Sequence, residues 1–124
     1  MENAERRRHI RLEMDEKLFV QIISASNAQE LVGKTYFCKT LDVSESGLKI
    51  TVQQQVPKNC EVELWVQIHS TSKKYFLSGH TQWCIGFEQS VGSYELGIKL
   101  KNGKSSDLEQ WQYLFDEHIN SLLQ

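Results

Sequence analysis

Arginine is almost missing from this sequence of 124 residues, and where it occurs it is confined to one short segment. Arg6, Arg7, Arg8 and Arg11 are the only four, whereas the other basic residues are lysines spread over the rest of the chain. An excess of positive charge is missing as well, because the formal net charge is −2 and taking away the four arginines leaves −6. An acidic body argues against a protein that coats long nucleic acid or an anionic membrane with a broad basic face.

Long apolar segments are also missing. No apolar run approaches the length of a membrane span, and no apolar segment follows the charged residues at the start as it would in a secretory signal. The three cysteines, Cys38, Cys60 and Cys84, are far apart and form no C-x-x-C pair. We therefore expect a cytoplasmic protein without membrane insertion, whose cysteines are small buried thiols in a reducing compartment.

Catalytic and metal-binding patterns are absent from the sequence too. His69, His80 and Cys84 lack the spacing of zinc ligands, so we expect no metal and no cofactor. Val32-Gly33-Lys34-Thr35 lacks the earlier glycine of a phosphate-binding loop. Without a nucleophile elbow or paired carboxylates, the sequence does not indicate an enzyme.

Hydrophobic residues recur at every second position through most of the chain beyond residue 16. In 61–68, Val62, Leu64, Val66 and Ile68 alternate with Glu61, Glu63, Trp65 and Gln67. Such alternation predicts a half-buried strand, and further β-rich stretches are 17–24, 34–43, 48–52, 74–87 and 96–100. Five or six short strands must pack as two sheets or close on themselves, and at this length a six-stranded antiparallel barrel over 17–104 is the economical arrangement.

The two ends of the chain differ from this β-rich body. Residues 1–16 are charged and have no hydrophobic period, which is typical of an arm that stays flexible until something holds it. Residues 105–124 predict one amphipathic helix, with Ser106 and Glu109 as a capping box. Its apolar residues recur at helical spacing and would seal an open barrel end or pack on the outer wall; they are Leu108, Trp111, Leu114, Phe115, Ile119 and Leu122.

Two motifs carry chemistry. Guanidinium groups bind phosphate or the guanine edge with two hydrogen bonds and stack on bases, so the arginine segment suits an anionic or planar ligand. Residues 42–47 form the pattern D-x-S-x-x-G between two strands, with Asp42 and Ser44 on the same side. A carboxylate can accept hydrogen bonds from N1–H and N2–H₂ of guanine, and we expect Gly47 to permit a positive φ and a close backbone approach.

Together, Arg7-x-x-x-Arg11 and Asp42-x-Ser44-x-x-Gly47 on a six-stranded pattern with a C-terminal helix resemble the PilZ domain, a family of bacterial receptors for cyclic di-GMP. The resemblance covers essentially the whole chain and implies a split-barrel fold. It also implies that Arg7 and Arg11 clamp the ligand from the arm, while Asp42, Ser44 and Gly47 hold a guanine.

The resemblance carries three further expectations. Arg6, immediately before the arginine pair, implies an intercalated ligand dimer, hence two cyclic di-GMP molecules per chain. Docking of the arm would switch contact with an unidentified downstream protein, in a process such as motility or biofilm control. Ile10 replaces a frequent proline, and the acidic residues of 13–16 would weaken phosphate binding by about a few tenths of a kcal/mol.

Two alternative functions stay open. One is a PilZ-like protein–protein interaction module without a nucleotide ligand. The other is a small nucleic-acid-binding module, whose distinguishing signature would be a basic, aromatic groove on the barrel. Trp65, Trp83 and Trp111 favour core or helix packing over a base-stacking platform, and Trp65 is the one that strand alternation places opposite the apolar face.

Overall fold

The computed structural model describes residues 11–12, 17–68, 73–103 and 106–123. Strands form most of this part of the chain, a single turn of 3-10 helix spans Gln29–Leu31, and an α-helix follows the last strand. The elements are β1 (Arg11–Leu12), β2 (Lys17–Ser24), β3 (Thr35–Ser44), β4 (Gly47–Val52), β5 (Glu61–Ile68), β6 (Lys73–Phe87), β7 (Ser90–Lys101) and α1 (Leu108–Leu123).

The strands form one antiparallel sheet that closes on itself. Their order is β1-β3-β2-β5-β6-β7-β4, and β4 also pairs with β3, which joins the two sides of the sheet. Closure leaves the six strands β2 to β7 without an open edge along most of their length. The predicted fold class, a six-stranded antiparallel barrel with a C-terminal helix, is confirmed.

The barrel interior is filled by the apolar residues that the period-two pattern selected. In β5, Val62, Leu64, Val66 and Ile68 are all buried, and the residues between them face outwards. Each fully buried aliphatic side chain contributes about 1.5–3 kcal/mol relative to leaving it in water. The core is therefore continuous across the strands.

The helix extends this core. Trp111 and Phe115 are almost completely buried, and the Trp111 ring meets Tyr75 of β6 edge-on at a centroid distance of 5.5 Å. Asp107 fixes the start of the helix to β6, since its carboxylate accepts a hydrogen bond from the Phe76 N–H (2.8 Å) and its N–H donates to the Phe76 carbonyl (2.7 Å). No helix within the described ranges is long and apolar enough to cross a membrane.

The expected capping box does not form as the sequence suggested. The carbonyl of Asp107 accepts the first helical hydrogen bond, from the N–H of Trp111 (2.9 Å), so the helix begins one residue later than a cap at Ser106 requires. The Ser106 hydroxyl accepts from the N–H of Leu108 (3.3 Å) instead of from that of Glu109.

Two residues of the predicted arm belong to the sheet. Arg11 and Leu12 form β1, which pairs with β3 at Ser44 and Val43, on the same edge of β3 that β2 occupies in the first half of that strand. The C-terminal half of β3 extends beyond the reach of β2, so its backbone groups are available to another strand there. Arg11 and Leu12 are the residues of the predicted arm that the structure describes, and the expectation of a flexible arm over 1–16 stays a prediction.

The cysteines differ in burial. Cys38 and Cys60 are buried as expected, whereas Cys84 is only half-buried. All three are free thiols. Burial raises the pKa of the Cys38 thiol from 9.0 to about 12, because the thiolate would lose its hydration in the core. Cys38 is therefore an inert core residue.

Candidate ligand-binding site

Two β-bulges turn polar and aromatic side chains outwards on one wall of the barrel. The register of β3 shifts between Thr40 and Asp42, and that of β6 shifts between Thr81 and Trp83. Thr40 and Thr81 are buried, so strict alternation would point Asp42 and Trp83 into the barrel as well. One extra residue in each strand reverses the phase, and both side chains face out.

These two residues end a cross-strand row over four neighbouring strands. Asp42 of β3 pairs with Lys49 of β4, Lys49 pairs with Gly97 of β7, and Gly97 pairs with Trp83 of β6. We call Asp42, Lys49, Gly97 and Trp83 the site row. It brings together a carboxylate, an ammonium group and an indole on one surface.

The charged half of the site row is an ion pair. Lys49 Nζ lies 3.5 Å from Asp42 Oδ2, and both side chains are partly exposed, at 30% and 20%. An ion pair at this depth contributes only about 0–1 kcal/mol to stability, since water screens it. Its main effect is to hold the carboxylate in place beside a positive charge.

The aromatic half of the site row depends on a glycine. A Cβ atom at Gly97 would lie 2.3 Å from the Trp83 ring, so the indole covers the space that any other residue would need. The indole Nε1–H donates to Glu95 Oε2 at 2.9 Å, which fixes its direction. Trp83 is thus a half-buried, oriented ring at the side of the cleft. This differs from the sequence-based expectation, which was that Trp83 packs in the core or against a helix.

The D-x-S-x-x-G segment is a tight turn with a reciprocal side-chain bond. The Ser44 hydroxyl accepts from the Gly47 N–H (3.1 Å) and its geometry also suits donation to the Gly47 carbonyl (3.2 Å). Gly47 does not adopt a positive φ, so that part of the expectation is wrong. A close approach requires glycine here, because a Cβ would lie 2.6 Å from the backbone oxygen of Ile98 on β7.

The helix supports this turn from inside the barrel. The Trp111 indole Nε1–H donates to the Ser44 carbonyl at 2.9 Å, and the bond is buried. The carbonyl at the end of β3 would otherwise be a buried acceptor without this partner, which costs about 1–3 kcal/mol. The position of the turn is therefore coupled to the packing of α1.

A cleft of about 230 Å³ lies between these groups. Asp42, Ser44, Gly47 and Trp83 line it together with Lys49 and Lys99. Sites that enclose a whole drug-sized ligand have volumes of roughly 300–1,000 Å³, so this cleft accommodates one base or phosphate and a larger ligand would extend beyond it.

The structure brings together part of the predicted site. Asp42, Ser44 and Gly47 line one cleft, and the backbone of Arg11 pairs directly with that of Ser44. Arg6 and Arg7 lie outside the described residues.

Sequence reasoning missed the cationic and aromatic residues of the cleft, namely Lys49, Lys99 and Trp83. Lys49 and Lys99 alternate with buried residues of β4 and β7, which is a weak signal of an outward position. Their proximity to Asp42 and Gly47 follows only from the register.

Solved structures with the same fold are similar to this chain at low sequence identity. The inhibitor of motility of Bacillus subtilis (MotI/DgrA) has a TM-score of 0.65 and 8% identity, covering 90% of this chain and 51% of that one. MrkH of K. pneumonia in its apo state has a TM-score of 0.62 and 13% identity, covering 93% and 49%. The chain thus spans about half the length of these two proteins.

A third structure is similar over its whole length. The PilZ domain of YcgR from Escherichia coli, solved with cyclic di-GMP, has a TM-score of 0.61 and 11% identity, with 94% of each chain covered. No curated protein sequence matches this chain significantly. The family model of the PilZ domain matches residues 5–116, a range that includes both the arginine pair and the D-x-S-x-x-G turn. The chain belongs to the PilZ domain family.

Proposed function

We propose that this protein is a cyclic di-GMP receptor that acts as an adaptor in the cytoplasm of a bacterium. The observation that carries the proposal is the pairing of Arg11 with Ser44, because it joins the arginine segment to the D-x-S-x-x-G turn. Family membership supports it, and so does the likeness to the PilZ domain of YcgR, which was solved with this ligand.

The site chemistry suits the ligand. Cyclic di-GMP has two guanines and two phosphates, so it needs an acceptor for the guanine N1–H and N2–H₂ groups, cations for the phosphates and flat surfaces for the bases. Asp42 supplies the acceptor, while Lys49 and Lys99 stand beside it as cations. Trp83 offers an oriented ring at the side of the cleft.

Arg7 and Arg11 complete the proposed site as a clamp. Each bidentate guanidinium contact is worth about 1–3 kcal/mol, which corresponds to roughly a 5- to 150-fold change in affinity. Arg6 precedes the clamp and would favour two ligand molecules per chain. The cleft holds only part of such a ligand, so the arm would cover the rest and become ordered on binding.

The switch would consist of this ordering. The described part of the arm, Arg11 and Leu12 of β1, pairs with the end of β3, so ligand contacts from the rest of the arm would lie close to the D-x-S-x-x-G turn. Ligand contacts from the arm would change the surface next to β1 and thereby alter contact with a downstream protein. The motility inhibitor among the structural neighbours makes motility a reasonable process to examine first.

Isothermal titration with cyclic di-GMP, beside GTP and cyclic di-AMP, tests the proposal. We expect saturable binding of cyclic di-GMP, with GTP and cyclic di-AMP much weaker because adenine lacks the donor pair that Asp42 would accept. Absence of binding to a folded chain would overturn the receptor function and leave a PilZ scaffold that works through protein contacts.

Arginine variants locate the site. Arg7→Ala and Arg11→Ala should each weaken binding by roughly 5- to 150-fold. Arg8→Ala removes the same charge outside the R-x-x-x-R pair and is the matched control, for which we expect a smaller loss. Thermal unfolding without ligand should be unchanged, since the described core begins at Leu18. Equal losses for the three variants would mean that charge alone, and no clamp, attracts the ligand.

A further inference from the structure

Four aromatic rings lie in one cross-strand row on the opposite wall of the barrel from the site row. Phe37 of β3 pairs with Phe19 of β2, Phe19 with Trp65 of β5, and Trp65 with Phe76 of β6. We call these four residues the aromatic row. Phe19, Phe37 and Trp65 expose 48%, 57% and 39% of their surface, so the row faces solvent.

A row of lysines runs beside it. Lys17 of β2, Lys39 of β3 and Lys74 of β6 each lie two residues from the aromatic ring of their strand and therefore on the same outer face. Lys17 and Lys39 pair with each other across β2 and β3, and all three side chains are exposed. We call them the lysine row. Unlike Lys49 and Lys101, none of the three forms a salt bridge with an acidic residue in the described ranges.

A hollow of about 430 Å³ lies between the two rows. Its lining consists of Phe19, Phe37 and Trp65 together with Lys17 and Lys74 and two neighbours on β5. This volume suits one or two large apolar side chains, with a positive charge at the rim. Cross-strand aromatic pairs stabilise a sheet, but such pairing does not require an open apolar hollow beside cations.

We propose that this face docks a segment of a partner protein that carries a large apolar anchor flanked by aspartate or glutamate. The anchor would fill the hollow against the aromatic row, and the carboxylates would meet the lysine row. Aromatic residues are enriched in the buried centre of protein interfaces, and exposed apolar patches with a polar rim mark such sites. The inference concerns a surface apart from the ligand cleft and does not depend on the proposed nucleotide binding.

Charge argues against a second copy of the chain as the occupant. A two-fold axis across the face would place the lysine row of one copy against that of the other, which repels. A two-fold axis along the aromatic row would place the lysine row of one copy against the polar residues that lie on the other side of the rings in the second copy. There Gln21 pairs with Thr35 and with Glu63, so a single carboxylate would face three lysines.

Ring geometry and overall charge argue against single-stranded nucleic acid. The Phe19–Phe37 and Trp65–Phe76 pairs are tilted by 58° and 46°, with centroids 5.0 and 5.2 Å apart, so no base fits between the paired rings. The chain apart from its four arginines has a net charge of −6, so a polyanion longer than the lysine row would run over an acidic surface.

The test uses the full chain and a defined probe. The probe is an eight-residue peptide with a central Leu-Phe pair and aspartates on both sides, titrated while ¹H–¹⁵N shifts of the protein are recorded. We expect saturable shifts that cluster at the aromatic and lysine rows. Two matched peptides, one with lysine in place of aspartate and one with alanine in place of Leu-Phe, should bind roughly tenfold more weakly or worse.

Protein variants separate the two parts of the surface. Phe37→Thr replaces the ring by a residue that also favours strands and should weaken the acidic peptide roughly tenfold, and Lys17→Glu combined with Lys74→Glu should do the same. Lys58→Glu reverses the charge of one exposed lysine on the β4–β5 loop, away from this face, and is the charge-matched control for either single variant, Lys17→Glu or Lys74→Glu. Titration of these variants with cyclic di-GMP should give wild-type results, so failure here is distinguishable from failure of the receptor proposal.

Four outcomes would overturn the inference. The first is absence of peptide binding to the folded wild-type chain, and the second is equal binding of the lysine peptide. The third is binding of a ten-nucleotide oligo(dT) at the aromatic row more tightly than the acidic peptide. The fourth is a concentration-dependent dimer in sedimentation equilibrium that Phe37→Thr abolishes. The third would identify nucleic acid as the occupant, and the fourth a second copy.

Discussion

Gly47→Ala tests why the D-x-S-x-x-G turn ends in glycine. The added Cβ would lie 2.6 Å from the carbonyl oxygen of Ile98, whereas distances below 3.0 Å are essentially never adopted. That oxygen belongs to the backbone of β7 and cannot rotate away like a flexible side chain. Strands β4 and β7 must therefore move apart by at least about 0.4 Å at Gly47, whose N–H donates to the Ser44 hydroxyl.

The expected cost follows from two opposing effects. Forcing an extra carbon into a packed site costs about 1–3 kcal/mol. Alanine also restricts the unfolded chain, which returns about 0.4–1 kcal/mol. We expect a net loss of about 1–2 kcal/mol in the free energy of unfolding, and a decrease of roughly 4–8 °C in the melting temperature for a domain of this size.

Urea and thermal unfolding, followed by circular dichroism, measure this loss. Gly86→Ala is the matched control, because its Cβ would meet only the Tyr94 ring at 3.6 Å, an ordinary contact. We expect Gly86→Ala to be neutral or slightly stabilising. If Gly47→Ala proves as stable as Gly86→Ala, steric closeness to Ile98 does not explain the glycine. A ligand titration of Gly47→Ala then shows whether the turn matters for binding instead.

Four shorter predictions accompany it. Asp42→Ala should lower the preference for cyclic di-GMP over cyclic di-AMP more than total affinity, in competition titrations, because it removes the proposed guanine acceptor. Arg6→Leu should change the calorimetric stoichiometry from two ligands per chain to one; an unchanged ratio would refute its role. Trp111→Phe should lose at least about 1–3 kcal/mol in urea unfolding, since a buried carbonyl loses its donor. Iodoacetamide at pH 8 should alkylate half-buried Cys84 before buried Cys38, as followed by mass spectrometry. Because burial raises the pKa of Cys38, its contribution to the free energy of unfolding should be fully present below pH 9.0 and be lost as the pH rises from 9.0 to about 12. Cys38→Ala should show a smaller loss over this range.

The fold was predictable because its sequence is locally consistent. Alternation in β5 places four apolar residues on one face, and the same pattern recurs in strands whose turns are rich in glycine, serine and asparagine. A helical period then follows at Leu108, Trp111 and Phe115, all of which are buried. Alternation cannot reveal β1, since two residues have no period and their pairing depends on where β2 begins.

The site was less predictable because bulges reverse alternation. Counting by twos from Cys38 and Thr40 places Asp42 inside the barrel, and counting from Leu77 through Thr81 does the same for Trp83. Neither extra residue, Leu41 or Gln82, has a sequence signature of a bulge. Recognition of the motif found Asp42, but nothing in the sequence linked it to Trp83, which lies three strands away.

The aromatic row shows the same limit in another form. Alternation in β5 places Trp65 on the outer face, and its partial exposure agrees with that position. A single exposed tryptophan has little meaning, since isolated apolar residues are common on protein surfaces. Only the register shows that Phe19, Phe37 and Phe76 stand beside it.

The two surfaces of this barrel are connected through the same two strands. β3 carries Phe37 in its first half and Asp42 in its second, and β6 carries Phe76 and Trp83 in the same order.

 In each strand a bulge separates the residues of the two surfaces, at Leu41 and Gln82. A ligand that pulls the site row together must act on β3 and β6 beyond these bulges, and bulges are where strands bend most readily. The affinity of the acidic peptide for the aromatic row, measured with and without cyclic di-GMP, therefore reports whether the bulges transmit or absorb that movement. An unchanged affinity means that the bulges absorb it. The adaptor would then have to signal through the arm alone.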